Sequence, residues 1–302
     1  MKAPEPLVSI LLCAFNEEKY IEVCIQSCLD QTWPNIEVVL FNDGSKDATF
    51  DIVRKNYCDN AKVKILSSPD NVGKVIGFNN CYATCSGEYI HLMGGDDVML
   101  PQCIEKCINK SREIPSEVLY HGLEMVDERL ITIKRNYLNP KFATIAPVKA
   151  IVEMASVASG SWFIHRSIAN KIFPIPLEVP YEDVWMSANI KNDAHRIGVL
   201  KEDLILYRQH NQSTFSVVDT SFAKVKFRHK RNLQYLNYIV SENIFDLKEN
   251  DYEKLRKKIE QHEAIIACNN YKEVVFADLP WRMKSRIILR ALYYTIRLAL
   301  KR

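Results

Sequence analysis

Two kinds of segment alternate along the first hundred residues. Unbroken apolar runs, Val8 to Cys13, Ile36 to Phe41, Val63 to Leu66 and Tyr89 to Met93, are separated by stretches of mixed polarity. Short apolar runs bounded by Gly, Asn, Asp and Pro read as strands buried on both faces. The stretches between them carry helical spacing. Ile21, Ile25, Cys28 and Leu29 share one face of a predicted helix, with Asn16 as its cap and Glu17 and Glu18 in its first turn. Gln31-Thr32-Trp33-Pro34-Asn35 ends it. A second helix is predicted through Ile52 and Val53, and a third after Asn71-Val72-Gly73. Repeated strand–helix units predict a parallel sheet with right-handed crossovers.

After Pro101 the pattern is mixed. A helix is predicted through Cys103 to Lys110, and strands around Val118 to Leu123 and Leu130 to Tyr137. Ala158-Ser159-Gly160-Ser161 leads into the apolar Trp162-Phe163-Ile164-His165. Pro174, Pro176 and Pro180 mark a loop before a helix opened by Tyr181-Glu182-Asp183. From Ser221 onward the chain reads as charged helix.

Composition adds bounds. The chain has 302 residues, 47% of them hydrophobic, and a formal net charge of +3. That suits a large α/β domain with a helical appendage and gives no bulk reason to expect nucleic acid. Met1 to Pro6 lacks the apolar core of a secretory signal, and Leu7 to Cys13 is too short to cross a bilayer. The nine cysteines include pairs at i, i+4 spacing, Cys24/Cys28, Cys81/Cys85 and Cys103/Cys107, with no CxxC. Lacking partners at zinc-like spacing, they read as reduced thiols filling a core, in a reducing cytosol.

Gly94-Gly95-Asp96-Asp97 follows the fourth apolar run directly. Paired carboxylates at the C-terminal end of a buried strand stand where open α/β sheets bind ligands. Held close they repel, so a cation is expected beside them, such as a divalent metal carrying a phosphate. Further polar clusters fall at strand ends or helix starts: Ala14-Phe15-Asn16-Glu17, Asn42-Asp43-Gly44-Ser45 and Glu182-Asp183. Tyr207-Arg208-Gln209-His210 follows the strand-like Leu204-Ile205-Leu206. Taken singly, these also read as acidic turns and helix caps. A GxGxxG fingerprint and a P-loop are both absent. The acidic motifs that accompany GDD in polymerase palms are missing, as is the Gly-rich loop of sugar nucleotidylyltransferases.

In their order, "VSILLCAFNEEKYI", "VVLFNDGSKDAT", "NVG", "GEYIHLMGGDDVMLP", "YEDVWM" and "YRQHNQSTF" resemble the family 2 inverting glycosyltransferases, over residues 6–216. The resemblance implies an α/β GT-A fold, a mostly parallel Rossmann-like sheet flanked by helices, with a C-terminal helical extension. It implies a glycosyltransferase domain over 1–216, with a nucleotide-sugar half (1–100) and an acceptor half (101–216), then a helical region over 217–302. The implied reaction moves a hexosyl or N-acetylhexosaminyl group from a UDP-sugar to a saccharide or lipid-linked saccharide. That reaction would build a bacterial surface polysaccharide such as O-antigen or capsule at the cytoplasmic face of the membrane.

Residue by residue, the resemblance implies that Ala14, Phe15, Asn16 and Glu17 face the uridine and that Asp43 accepts the uracil N–H. Gly73, Lys74 and Asn79 would lie along the donor, and Arg208 would neutralise phosphate. Asp96 would touch the ribose. Asp97, with His210, would hold Mn²⁺ or Mg²⁺. Asp183 would be the general base, with Glu182 beside it, kept ionised by the helix dipole. Trp162 and Trp185 would offer a sugar platform or fill the core. Two positions depart from the family. Gly94 replaces the first acid of DxDD, and Phe78 replaces an Arg that many relatives carry ahead of Asn79. The missing acid leaves a non-catalytic, membrane-surface carbohydrate- or nucleotide-binding relative of the fold as the alternative.

Between Pro280 and Arg302 there are seven basic residues and no acid. Arg282, Arg286, Arg290, Arg297 and Lys301 fall near one helical face, and Ile287, Ile288, Ala291, Tyr294 and Leu298 largely on the other. Such a helix lies on an anionic membrane surface, or docks on its own domain or on a second copy in a homo-oligomer.

Overall fold

The four apolar runs form β1 (Val8–Ala14), β2 (Ile36–Asp43), β3 (Val63–Ser68) and β4 (Tyr89–Gly94), with α1 (Ile21–Leu29), α2 (Thr49–Tyr57) and α3 (Lys74–Thr84) between them. The computed structural model describes residues 5–114, 116–138, 142–193, 196–210, 221–285 and 287–289. Each strand runs past its apolar stretch into polar or small residues. The parallel ladder keeps pairing there, with Ala14 opposite Asn42, Asp43 opposite Ser68 and Cys13 opposite Gly94.

The chain continues through β5 (Val98–Met99), α4 (Cys103–Glu113), β6 (Val118–Val126), β7 (Thr132–Lys134), α5 (Pro147–Val152), β8 (Trp162–His165), α6 (Arg166–Ile172), α7 (Glu182–Asp193) and β9 (Ile197–Arg208). All the strands join one sheet in the order β3-β2-β1-β4-β8-β6-β9-β5, with β7 beside β6. The β1–β4 half is parallel. Beyond β4 the sheet is mixed: β8 is antiparallel to β4 and β6, and β9 is parallel to β6 but antiparallel to β5.

The pleat sends alternate residues to opposite faces. Val8, Ile10, Leu12, Val38, Leu40 and Met93 pack with Cys24, Ile25 and Cys28 of α1, Val53 of α2 and Cys103, Ile104 and Cys107 of α4. The other face of β1 and β2 meets α3. A Cβ at Gly77 of α3 would lie 2.8 Å from Cys13 Sγ and 3.0 Å from Phe41 Cδ1, so this helix approaches the sheet too closely for any side chain there.

This first unit comprises Met1–Leu177 and Tyr181–Gln209. The second comprises Glu178–Pro180 and His210–Arg302, and holds α8 (Phe222–Ser241), α9 (Glu249–Ala267) and α10 (Tyr271–Phe276). Ser221 caps α8, its hydroxyl accepting the Lys224 N–H. Val225, Ile265, Cys268, Val274 and Leu279 form the second core, with Met283 and Ile287 packed against it. The start of the basic tail therefore docks on its own unit. Arg286 and residues 290–302 lie outside the described residues. Phe276 and Trp281 are 87% and 76% exposed. Among the described residues no helix is long and apolar enough to cross a membrane.

Gly77→Val tests the α3 contact. Overpacking of this kind costs about 1–3 kcal/mol, so the variant should melt several degrees below wild type. An unchanged melting temperature would show that α3 can move off the sheet freely.

Candidate active site

The chain passes from β1 out to β2 and β3, then returns to place β4 on the other side of β1. The strand order reverses between β1 and β4, and open α/β sheets bind ligands in the crevice beyond such a point. The residues that emerge there are Ala14-Phe15 after β1 and Gly94-Gly95 after β4. Gly95 N donates to Cys13 O at 3.1 Å, and a Cβ at Gly95 would lie 2.8 Å from Ala14 Cβ.

The loop after β1 is stitched to the loop after β2. Asn16 N donates to Ser45 Oγ (3.0 Å), Lys46 N to Asn16 Oδ1 (2.8 Å), Glu17 N to Thr49 Oγ1 (2.7 Å) and Ala48 N to Glu18 Oε2 (3.0 Å). Two expectations change. Asn16 does not cap α1, which starts at Ile21. It takes φ +56°, a turn conformation that Asn tolerates. The Asn16 amide expected to face uridine donates to Ser45 instead. Phe15 is exposed and Glu17 half-buried.

Asp43 is buried and holds the next loop. Its carboxylate accepts Val72 N at 2.7 Å and Gly73 N at 3.0 Å. Gly44 beside it takes φ +68°, and a Cβ there would lie 2.3 Å from Asp70 C. Asp43 therefore anchors the loop leading to α3. A carboxylate has about four lone-pair directions, so a further donor can still be accepted. Asn42 Oδ1, also buried, has no hydrogen-bond partner among the described residues. The polar strand end was visible in the sequence, but its orphan acceptor was not.

The acid pair is the centre of the site. A Cβ at Gly94 would lie 2.7 Å from Asp96 Oδ1 and 3.1 Å from Asp97 Oδ2. The two carboxylates thus converge on the space left by the absent side chain. Asp97 is 5% exposed. Burial first, then the charge of Asp96, pushes its carboxyl well above the usual range; the Arg208 N–H and the charges of Lys74 and Arg208 oppose this.

Arg208, 4% exposed, fixes the pair. Its backbone N–H donates to Asp97 Oδ1 (2.9 Å), its Nε to Asp96 O (2.7 Å) and its Nη1 to Glu128 O (2.7 Å). Its guanidinium stacks 4.5 Å from the centroid of Tyr20. Its Nε and Nη1 donors engage backbone carbonyls, so Arg208 pins the Asp96–Asp97 loop. Asn79 is likewise committed. Its Nδ2 donates to Ile175 O (2.8 Å) and its Oδ1 accepts Ile175 N (2.7 Å), which clamps α3 to the loop after α6.

Lys74 opens α3 directly after Gly73. Burial of its ammonium works against the charge, but Glu182, Asp96, Tyr207 and Asp97 outweigh it and raise the pKa. The residue as a whole is exposed, and water screens this field. One cation therefore senses both acidic clusters, although they lie far apart in sequence.

Glu182 and Asp183 form the first turn of α7. Ser156 Oγ donates to Asp183 Oδ2 at 3.1 Å, and Ser159 Oγ to Glu182 Oε1 at 3.4 Å. Burial first, then the Glu182 charge, raises Asp183 to about 7, against the hydrogen bonds from Ser156 and Val184 N and the Lys74 charge. Burial and the Glu182 charge thus act against the ionisation that the helix dipole would favour. Ser156 and Ser159 were not singled out in the sequence, where only small-residue composition marked their segment. Trp162 and Trp185 are buried, and Trp185 Nε1 donates to Ile172 O, so both fill the core. His210 is buried at the start of the second unit.

An α/β sheet with paired acids at its switch point is the architecture of the GT-A glycosyltransferases. The glycosyl transferase family 2 profile matches residues 9–173, more than half the chain, and the protein belongs to that family of enzymes. It is 27% identical over 255 residues to an uncharacterized glycosyltransferase of Haemophilus influenzae, covering 78% of this chain and 76% of the relative. It is 36% identical over 108 residues to the chondroitin synthase of Escherichia coli, covering 36% of this chain but only 16% of that protein. The crystal structure of S. aureus TarS 1-349 in complex with UDP-GlcNAc matches with a TM-score of 0.63 at 18% identity, covering 94% of this chain and 79% of that one. That likeness is one of fold.

The raised Asp183 pKa makes a stability prediction. Its folded value of about 7 lies above the unfolded carboxylate value of about 3.9. The fold therefore binds the proton more tightly, and this group's contribution is lost as pH rises through 7. Asp183→Asn removes the ionisation. At pH 8 the variant should melt about 2–4 °C above wild type, with the gap closing by about pH 4. Equal melting temperatures at pH 8 would mean an ordinary carboxylate.

Proposed function

We propose that this protein is an inverting glycosyltransferase that moves a sugar from a UDP-sugar to a saccharide or lipid-linked saccharide acceptor during polysaccharide synthesis. The observation that carries the reading is the Asp96–Asp97 pair, whose carboxylates converge on the Gly94 gap at the end of β4 in a chain of the glycosyl transferase family 2. A donor binds over the β1–β4 edge, within residues 1–100. The diphosphate meets Lys74 and the free amides at the start of α3. The acceptor is oriented within residues 101–216, with Glu182 beside Asp183.

Asp183 takes the proton of the attacking hydroxyl. Its pKa of about 7 suits that work, since a base is most effective near the operating pH. The Ser156 hydroxyl holds one carboxylate oxygen and orients the other. The acceptor oxygen bonds to the anomeric carbon as the bond to UDP breaks, and the proton ends on Asp183. One displacement inverts the configuration, with no covalent intermediate. The chondroitin synthase relative and the UDP-GlcNAc complex of TarS support the donor class and the polysaccharide role.

The donor set fits a divalent metal ion. Two carboxylate oxygens converge on one point, Asp97 resists ionising beside Asp96, and hard oxygens suit Mn²⁺ or Mg²⁺. Asp97 and Asp96 would hold the ion. When bound it would supply positive charge against the leaving diphosphate. A lipid-linked acceptor would bring the helical unit to a membrane surface, where the exposed Phe276, Trp281 and Leu289 support contact.

The test is UDP release from a panel of UDP-sugars, with and without Mn²⁺. One donor should turn over with metal. Asp97→Ala should lower kcat/KM by about 10²–10³-fold. Asp183→Asn should lower kcat about 10²–10⁴-fold with little change in donor KM, and wild-type kcat should rise with pH through about 7. Absence of UDP binding with any metal would point to the non-catalytic relative.

A further inference from the structure

A second cluster lies beneath the acid pair and takes no part in the proposed chemistry. His91 of β4, His121 of β6 and Cys103 of α4 meet in the core, all fully buried. His91 Nε2 lies 3.0 Å from His121 Nε2, and Cys103 Sγ lies 3.8 Å from each. The sheet explains how they meet. β8 separates β4 from β6 only as far as Trp162, which pairs with Tyr120, and Phe163, which pairs with His91 and Leu119. The chain then leaves the sheet in the 3₁₀ turn Ser159–Ser161. His91 lies opposite Phe163 and His121 one residue past Tyr120, so the two imidazoles meet just where β8 ends.

Proton counting makes the pair conflict with itself. His91 Nδ1 is 2.9 Å from Leu92 O, and His121 Nδ1 is 3.0 Å from Gly122 O. A carbonyl only accepts, so both Nδ1 atoms carry the proton. A neutral ring then has a bare lone pair at Nε2, and two such lone pairs face each other at hydrogen-bond distance. Nδ1 bound to a backbone carbonyl fixes the tautomer that leaves Nε2 free for a metal, as in ligating imidazoles.

We propose that His91 Nε2, His121 Nε2 and the Cys103 thiolate bind a divalent d-block cation, zinc by its chemistry. Zinc bonds of about 2.0–2.1 Å to nitrogen and 2.3 Å to sulfur separate the ligand atoms by about 3.3 Å (N to N) and 3.6 Å (S to N) at tetrahedral angles. The triangle found here is close to that. Soft thiolate with imidazole selects zinc over the hard ions suited to Asp96 and Asp97. Binding displaces the Cys103 proton to solvent. The ion would be structural, tying β4, β6 and α4 together below the strand end that carries the acids. Sequence spacing could not show it, because its members come from three separate elements.

The test is metal content of the full chain, purified without added metal and dialysed against EDTA. About one equivalent of zinc is expected, unchanged in Asp97→Ala and lost in Cys103→Ser. Protein grown with Co²⁺ should show intense tetrahedral d–d bands and a thiolate charge-transfer band, whereas cobalt at an oxygen site gives neither. That spectrum on wild type decides the matter if Cys103→Ser fails to fold. Wild type holding less than about a tenth of an equivalent of zinc and lacking the cobalt bands would overturn the proposal. So would a folded Cys103→Ser variant that keeps its zinc.

Discussion

Two carboxylates that repel each other are held at the end of a buried strand, and most of the site is arranged around that repulsion. Asp96 and Asp97 turn toward the gap at Gly94, where a side chain would otherwise stand. Arg208, from the last strand of the sheet, binds the Asp97 carboxylate through its backbone and the Asp96 carbonyl through its guanidinium. The pin is stiff because two guanidinium hydrogen bonds, the backbone N–H and an aromatic face hold one residue. Polar groups this far from water are costly unless satisfied, and Arg208 meets that cost for the protein. On the proposed reading, the remaining negative charge is what a bound cation would meet.

The same logic governs α7. Asp183 is placed where water is scarce and a second acid is adjacent, so the fold disfavours its charge. A base so placed is weaker as a structural anion and better as a proton acceptor. As the proposed base, Asp183 would give up stability for basicity, a trade common at functional positions.

The sequence made the parallel half legible because its strands are buried on both faces and read as continuous apolar runs. The acid pair was legible because it follows one of those runs without a break. What stayed hidden depends on partners far along the chain. Arg208 read as a phosphate ligand because its bond to Asp97 spans 111 residues. Asn79 read as a donor contact because Ile175 lies 96 residues away. Asn16 read as a helix cap because Asn serves both caps and turns with positive φ. The short β5 and the helices α5 and α6 carry too few residues for periodicity to declare them. The cysteines read as inert core thiols because no spacing brings Cys103 to two histidines from different strands.

The central claim is a single displacement assisted by Asp183, and product stereochemistry addresses it most directly. With an α-linked UDP-sugar that the enzyme accepts, proton NMR can follow the anomeric signal of the first-formed product before mutarotation. The account predicts the β anomer. An α product would contradict it and would require a covalent intermediate or attack from the face that UDP leaves.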